Sequence, residues 1–174
     1  MLQNRTSVHH WVIMRYAEIL LSYAEAMNEA YGPTGNVGYR LNAVRALNQV
    51  RNRVGVEMPA VPTAISKEEL REKIRNERRV ELAFEDHRYF DLKRWRLADQ
   101  VWNGIESDDT MVRGLYPYRV VRPGHEDNGK FIFEKMNPTR FKKARYFQMK
   151  NYYASIAQDV LDNNPKIVKN PFHN

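Results

Sequence analysis

The sequence predicts a mainly α fold: helix hairpins in the first part of the chain, then an irregular, partly β C-terminal region. Three observations carry this. Apolar residues recur at helical spacing up to the neighbourhood of Asn103. Glycine–proline breakers and one capping box divide that stretch into segments of helix length. Beyond Gly104 the pattern turns to loop chemistry around two short β-prone runs.

The first helix is expected from His9 to Ala30. Arg15, Glu18, Ser22, Glu25 and Glu29 form one polar stripe, while Trp11, Ile13, Met14, Tyr16, Ile19, Leu20, Leu21, Tyr23 and Met27 fill the rest. A helix apolar over most of its circumference is expected to pack on several sides. Gly32-Pro33-Thr34-Gly35-Asn36 stops it. The second helix is expected from Val37 to Val54, with Leu41, Val44, Leu47, Val50 and Val54 inward. Asn42, Arg45, Gln49 and Asn52 take the wet face, and Gly55 suits the C′ position. The short turn makes the two an antiparallel hairpin.

Met58 to Ile65 is a proline-containing linker. Ser66-Lys67-Glu68-Glu69 then reads as a capping box, with Ile65 and Leu70 as its hydrophobic staple. The third helix is expected from Lys67 to Glu85, carrying Leu70, Ile74, Val80, Ala83 and Phe84. Glu69–Lys73, Glu68–Arg71 and Glu72–Arg75 support it along the surface. A fourth helix, His87 to Asn103, lines Phe90, Leu97 and Val101 along one side and closes at Gly104. Two hairpins in succession suggest a tetratricopeptide-like solenoid, although their starts near residues 9 and 67 do not keep that repeat's period of about 34 residues.

After Gly104, Ser107-Asp108-Asp109 and Gly124-His125-Glu126-Asp127-Asn128-Gly129 are turn sequences. Leu115 to Val121 and Phe131 to Phe133 read as the strands of a β-hairpin. One more short helix is expected over Lys150 to Leu161, before an irregular tail. The organisation is thus helical hairpins over 1–105 and a loop-rich extension over 106–174, packing on the helices within the same domain.

Composition limits the chemistry. Apolar residues make up 43% and charged residues 28%, as in ordinary globular proteins. With no cysteine there are no disulfides, thiol nucleophiles or cysteine metal sites. Residues 1–6 have no apolar core followed by a small-residue cleavage site. The net charge of +7 makes an acidic partner, nucleic acid included, worth considering. Against this, the charges are mixed along most of the chain, as on solvated helix faces.

Glu77, Glu81 and Glu85 share one helix face. An acid–base pair needs such carboxylates, but Arg71, Arg75, Arg78 and Arg79 on the same helix make ion pairing the expected role. Glu77 and Glu81 are expected to be partly buried against the first hairpin. The histidines are His9, His10, His87, His125 and His173, and none has metal-ligand spacing; His125-Glu126-Asp127 reads as a turn. No nucleophile elbow, phosphate loop or dinucleotide fingerprint occurs. Arg140-Phe141-Lys142-Lys143-Ala144-Arg145-Tyr146-Phe147 interleaves cations and rings as single-strand nucleic-acid binders do, with Lys142, Lys143 and Arg145 as the phosphate contacts. No nucleic-acid fold signature accompanies it, so its rings are expected to pack and its cations to be solvated.

Arg15-Tyr16-Ala17-Glu18-Ile19-Leu20-Leu21-Ser22-Tyr23-Ala24-Glu25-Ala26 resembles a hallmark helix of the SusD/RagB family. Ala46 to Gly55 is similar to that family's following helix. The likeness continues through Ile74-Arg75-Asn76-Glu77-Arg78-Arg79-Val80-Glu81-Leu82-Ala83-Phe84-Glu85 and Asp86-His87-Arg88-Tyr89-Phe90-Asp91-Leu92-Lys93-Arg94-Trp95. The tail, Asn163 to Phe172, resembles the family's usual ending. The resemblance implies a non-catalytic, nutrient- or glycan-binding lipoprotein on the external face of the outer membrane of Bacteroidetes-like bacteria. Such a protein hands oligosaccharides or peptides to a TonB-dependent transporter of the SusC type. It implies no cofactor, and attachment to the membrane only through a lipid anchor upstream. Family members are much longer, so the chain is expected to be the C-terminal portion of a larger protein. The family's better-known ligand contacts tend to lie upstream. The matched blocks are therefore read as structural, with Arg78, Glu81, Asp91 and Arg94 in ion pairs and Trp95 in packing.

If this portion contributes ligand contacts, the irregular region is the place for them. Tyr116 and Tyr118 are the candidates to stack on sugar faces, and Arg113 to hydrogen-bond hydroxyls. The competing reading packs both tyrosines within the hairpin. Two other functions stay open: a basic, helical nucleic-acid-binding protein, and a purely structural module that docks the transporter. The first helix is also expected to leave an apolar patch exposed where upstream helices are missing, which favours dimerisation or marginal behaviour in isolation.

Overall fold

The computed structural model describes residues 13–136 and 143–173, so the expected helical residues 9–12 and the segment from Arg140 to Lys142 lie outside the described residues. The chain divides into two units, Met1–Phe90 and Asp91–Asn174. Among the described residues it is mainly α with one small sheet.

In the first unit α1 spans Tyr16–Tyr31, α2 Ala43–Arg51 and α3 Lys67–Glu81. All three are shorter than their apolar patterns, each for a local reason. Arg15 is extended, with φ −142° and ψ 160°, and serves as the N-cap of α1, so this helix begins at Tyr16. Asn42 caps α2 by accepting from the Arg45 N–H at 2.8 Å, which leaves Val37 to Leu41 outside the helix. Asn52 ends α2; Val54, expected inward, is 97% exposed, and Gly55 (φ +83°) lies in the turn beyond. The Ser66 capping box starts α3 as expected, with both reciprocal bonds present. α3 then stops at Glu81, and Phe84 and Asp86 take left-handed conformations. Val80, on the outer side of the last turn of α3, is exposed, as are Ala83 and Phe84 beyond it, while Leu82 turns into the core.

α1 is the central helix, packed against both α2 and α3. Its C-terminal Asn28 donates to the Lys67 carbonyl at the start of α3, and Arg15 at its other end reaches Glu81 and Glu85, so α1 and α3 are antiparallel. The core joins Leu20, Leu21, Ala24 and Met27 of α1 to Ala43, Val44, Ala46, Leu47 and Val50 of α2 and to Leu70, Ile74 and Leu82. Val61 of the linker enters the same core, pinned by Asn48, which accepts from its N–H at 2.8 Å and donates to its carbonyl at 2.9 Å. Among the described residues the side of α1 that carries Tyr16 and Ile19 remains exposed, so the helix is covered by α2 and α3 but not over most of its circumference as expected.

α4, His87–Arg94, runs across the division between the units. The single helix expected from His87 to Asn103 is broken at Arg96 (φ +57°), and a short α5 follows over Ala98–Val101. The Arg96 guanidinium lies over the rings of Tyr152 and Tyr153, at 4.6 and 5.0 Å, and donates to the Tyr153 hydroxyl. Those stacking contacts hold a left-handed residue that helix continuation would forbid. A second core gathers Leu92, Ala98, Phe147 and Tyr152. Gly104 (φ +83°) closes the segment as expected; its N–H donates to the Arg145 carbonyl, and a Cβ there would sit 3.3 Å from the Tyr146 ring. The expected helix over Lys150 to Leu161 resolves into a single 3₁₀ turn, Met149–Tyr152, and a separate α6, Gln158–Asn163.

The expected hairpin is present. β1, Gly114–Arg119, pairs antiparallel with β2, Phe131–Met136, in the register Tyr116↔Glu134 and Tyr118↔Ile132. Beyond the strand end the Val120 N–H donates to the Lys130 carbonyl. By alternation Tyr118, Tyr116 and Gly114 direct their backbone groups toward β2, and Pro117 sits at an outward-facing position where no ladder bond is lost.

Candidate ligand-binding surface

Successive strand residues point to opposite faces, so the register assigns each side chain. One face carries Tyr116 and Tyr118 from β1 with Ile132, Glu134 and Met136 from β2. Met136 lies over Gly114, where an added Cβ would stand 3.2 Å from its side chain. The two tyrosine rings sit side by side, centroids 4.8 Å apart and planes tilted by 58°. They are 50% and 47% exposed, so they line the surface and are not packed away. The Glu134 charge, the largest influence, raises the Tyr118 phenol above its ordinary range.

Arg113 does not join the tyrosines. Its guanidinium pairs with Asp108 at 3.3 Å, and the same carboxylate takes Lys135 at 2.6 Å. Lys135 alternates onto the opposite face, together with Leu115, Pro117, Phe133 and Phe131. The Lys135 hydrogen bond, the larger influence, keeps Asp108 below the usual carboxylate range. Glu134 went unnoticed in the sequence because the second β-prone run was read as ending at Phe133. Extending the alternation by one residue would have found it.

The carboxylates Glu77, Glu81 and Glu85 are ion-paired, but their partners come from other elements. Arg51 holds Glu77, Arg53 and Arg15 hold Glu81, and Arg15 also holds Glu85. Arg15 further donates to the Glu81 carbonyl, one of the unpaired acceptors at the end of α3. Arg78 is buried and donates to the Ser22 hydroxyl at 3.0 Å, and Asp91 pairs with Arg94 at 2.9 Å. Trp95 is half-buried beneath the Arg94 guanidinium.

In the basic segment, Phe147 is buried against Trp102 and Tyr152, while Tyr146 is exposed and bridges Asn103. Among the described residues no three His, Asp or Glu side chains gather as a metal site, and no helix is long and apolar enough to cross a membrane. A groove of about 460 Å³ opens between α1 and the segment before α2, lined by Tyr16, Ile19, Tyr23, Tyr39 and Arg40.

Residues 1–173 match the model of the SusD family. The chain is similar to SusD-like protein P2 of Formosa agariphila, with 38% identity over 130 residues, covering 71% of this chain and 24% of that protein. It is also similar to SusD-like protein P38 of the same organism, with 31% identity over 126 residues, covering 67% of this chain and 24% of that one. Among solved structures it resembles a SusD-like protein from Bacteroides fragilis at TM-score 0.63 and 29% identity, covering 94% of this chain and 26% of the other. A SusD-like carbohydrate binding protein from Bacteroides vulgatus shares the fold at TM-score 0.51 and 24% identity, over 90% of this chain and 29% of its own. The chain thus spans about a quarter of the length of these relatives.

Proposed function

The chain belongs to the SusD family, and from that premise we propose that it forms the C-terminal portion of a non-catalytic nutrient-binding protein of the outer membrane. The whole protein would present oligosaccharides or peptides to a TonB-dependent transporter of the SusC type, held at the external face by a lipid anchor on its upstream part. The observation that carries this reading is the family match across nearly the whole chain, in agreement with the ordered sequence blocks. Within this portion the proposed ligand contacts are Tyr116 and Tyr118; Arg113, paired with Asp108 away from the rings, is left out of them. Half-exposed rings held side by side offer apolar faces to a sugar at little cost in side-chain entropy.

The test is a glycan and peptide array probed with the full-length protein, wild type beside Tyr116→Ala/Tyr118→Ala, with co-purification of the transporter as a second readout. Retention of a saccharide or peptide, weakened about tenfold in the variant (about 1.4 kcal/mol), supports both function and site. Unchanged binding in the variant removes the site. Failure to retain either class, with single-stranded nucleic acid bound in a steeply salt-dependent way, replaces the function.

A further inference from the structure

The chain as a whole is cationic, yet the tyrosine-bearing face of the hairpin is not. Of the strand residues on that face only Glu134 carries a charge, opposite Tyr116 and beside Tyr118. Among the described residues, four nearby cations each have a carboxylate partner. Arg113 and Lys135 share Asp108, Arg122 pairs with Asp127 at 3.4 Å, and Lys130 approaches Glu126 at 4.0 Å. Arg119 alternates onto the other face with Leu115 and Phe133. Among the described strand residues of this face, a ligand resting on the two rings meets two π faces, two phenolic hydroxyls and one carboxylate, which also accepts from the Tyr118 hydroxyl.

That combination distinguishes ligands by charge. A carboxylate accepts strong hydrogen bonds from hydroxyl groups, which neutral sugars supply in pairs. It repels a uronate or sulfate at the same distance, and only salt or an added cation relieves that repulsion. We propose that the Tyr116–Tyr118 face selects neutral saccharides over acidic ones, with Glu134 as the hydroxyl acceptor and the charge filter. This rests on the reading of the tyrosine pair as a ligand contact.

The experiment uses the full-length protein on an array of matched oligosaccharides differing only in charge, such as galacto-oligosaccharides beside oligogalacturonates. Wild type, Glu134→Gln and Tyr118→Ala are compared, each first checked for an unchanged circular dichroism spectrum. Wild type is expected to retain neutral members at least tenfold more strongly than their acidic counterparts at low salt. Glu134→Gln, an isosteric change on an exposed strand, is expected to weaken neutral binding several-fold and to shrink the charge preference about tenfold. A preference for acidic members in wild type, or a charge preference untouched by Glu134→Gln, overturns the inference. If Tyr118→Ala abolishes binding while Glu134→Gln changes nothing, only the charge filter falls. If Tyr118→Ala is silent, or no saccharide is retained, the underlying site falls with it.

Discussion

Glu81 is gripped by two guanidinium groups from different elements, Arg15 ahead of α1 and Arg53 after α2. Burial is the largest single influence on it and opposes its charge, but hydrogen bonds from Arg53 and Arg15 together outweigh burial and hold its pKa below the usual carboxylate value. Glu29 is lowered too, chiefly by its hydrogen bond from Arg71. A carboxylate with a depressed folded-state pKa contributes stability that is complete above its unfolded pKa and disappears as pH falls through the folded one. Urea unfolding followed from about pH 7 down to about pH 3 should therefore show falling stability in wild type. Glu81→Gln should be less stable at neutral pH, since two arginines lose their charged partner, and should decline less steeply in acid. Parallel pH profiles for the two proteins would contradict this account. The carboxylates of this face were legible in the sequence as ion-pairing groups. Their partners were not, because Arg15, Arg51 and Arg53 reach them only through tertiary packing, whereas local spacing pointed to arginines of the same helix.

The linker between α2 and α3 has little regular structure and depends on one side chain. Asn48 treats Val61 as a neighbouring strand residue would, satisfying its N–H and carbonyl together, and so holds a buried valine that regular structure does not hold. Asn48→Ala strands both groups and should cost about 1–3 kcal/mol, read from the urea midpoint at unchanged slope. A shift within a few tenths of a kcal/mol would mean that the linker holds itself. Elements with chemical punctuation were read correctly: the Ser66 capping box starts α3, and turn residues frame the β-hairpin. Ends without it were missed. Phe84, Asp86 and Arg96 adopt left-handed backbone that sequence normally signals with glycine, so α3 was read too long and α4 with α5 as one helix. At Arg96 the compensating contacts come from Tyr152 and Tyr153, which no local window contains. The Asn42 cap of α2 was visible in the sequence but was overridden by an apolar pattern beginning at Val37.

At the scale of the molecule, apolar surface stands open among the described residues at two places in particular. One is the Tyr16–Ile19 side of α1, and the other is the hairpin, whose strand residues are exposed on both faces apart from half-buried Gly114. Such surfaces favour association when the chain is alone. Light scattering should give a concentration-dependent mass above that of one chain, lowered by Ile19→Lys. An unchanged mass in that variant would exclude α1 as the contact. The tyrosine pair of the candidate surface was legible as residues; its separation from Arg113 was not, because that depends on Asp108 arriving from an earlier turn. Pro117 sets a limit on one route of association. With no N–H to offer, it leaves the outer edge of β1 a poorer template than that of β2, whose six residues all carry an N–H. Two hairpins that meet edge to edge through β2 use up each other's template and present only β1 edges to the outside. Growth by strand pairing along this route would then terminate at two chains, with Pro117 as the stop against extension through the β1 edge.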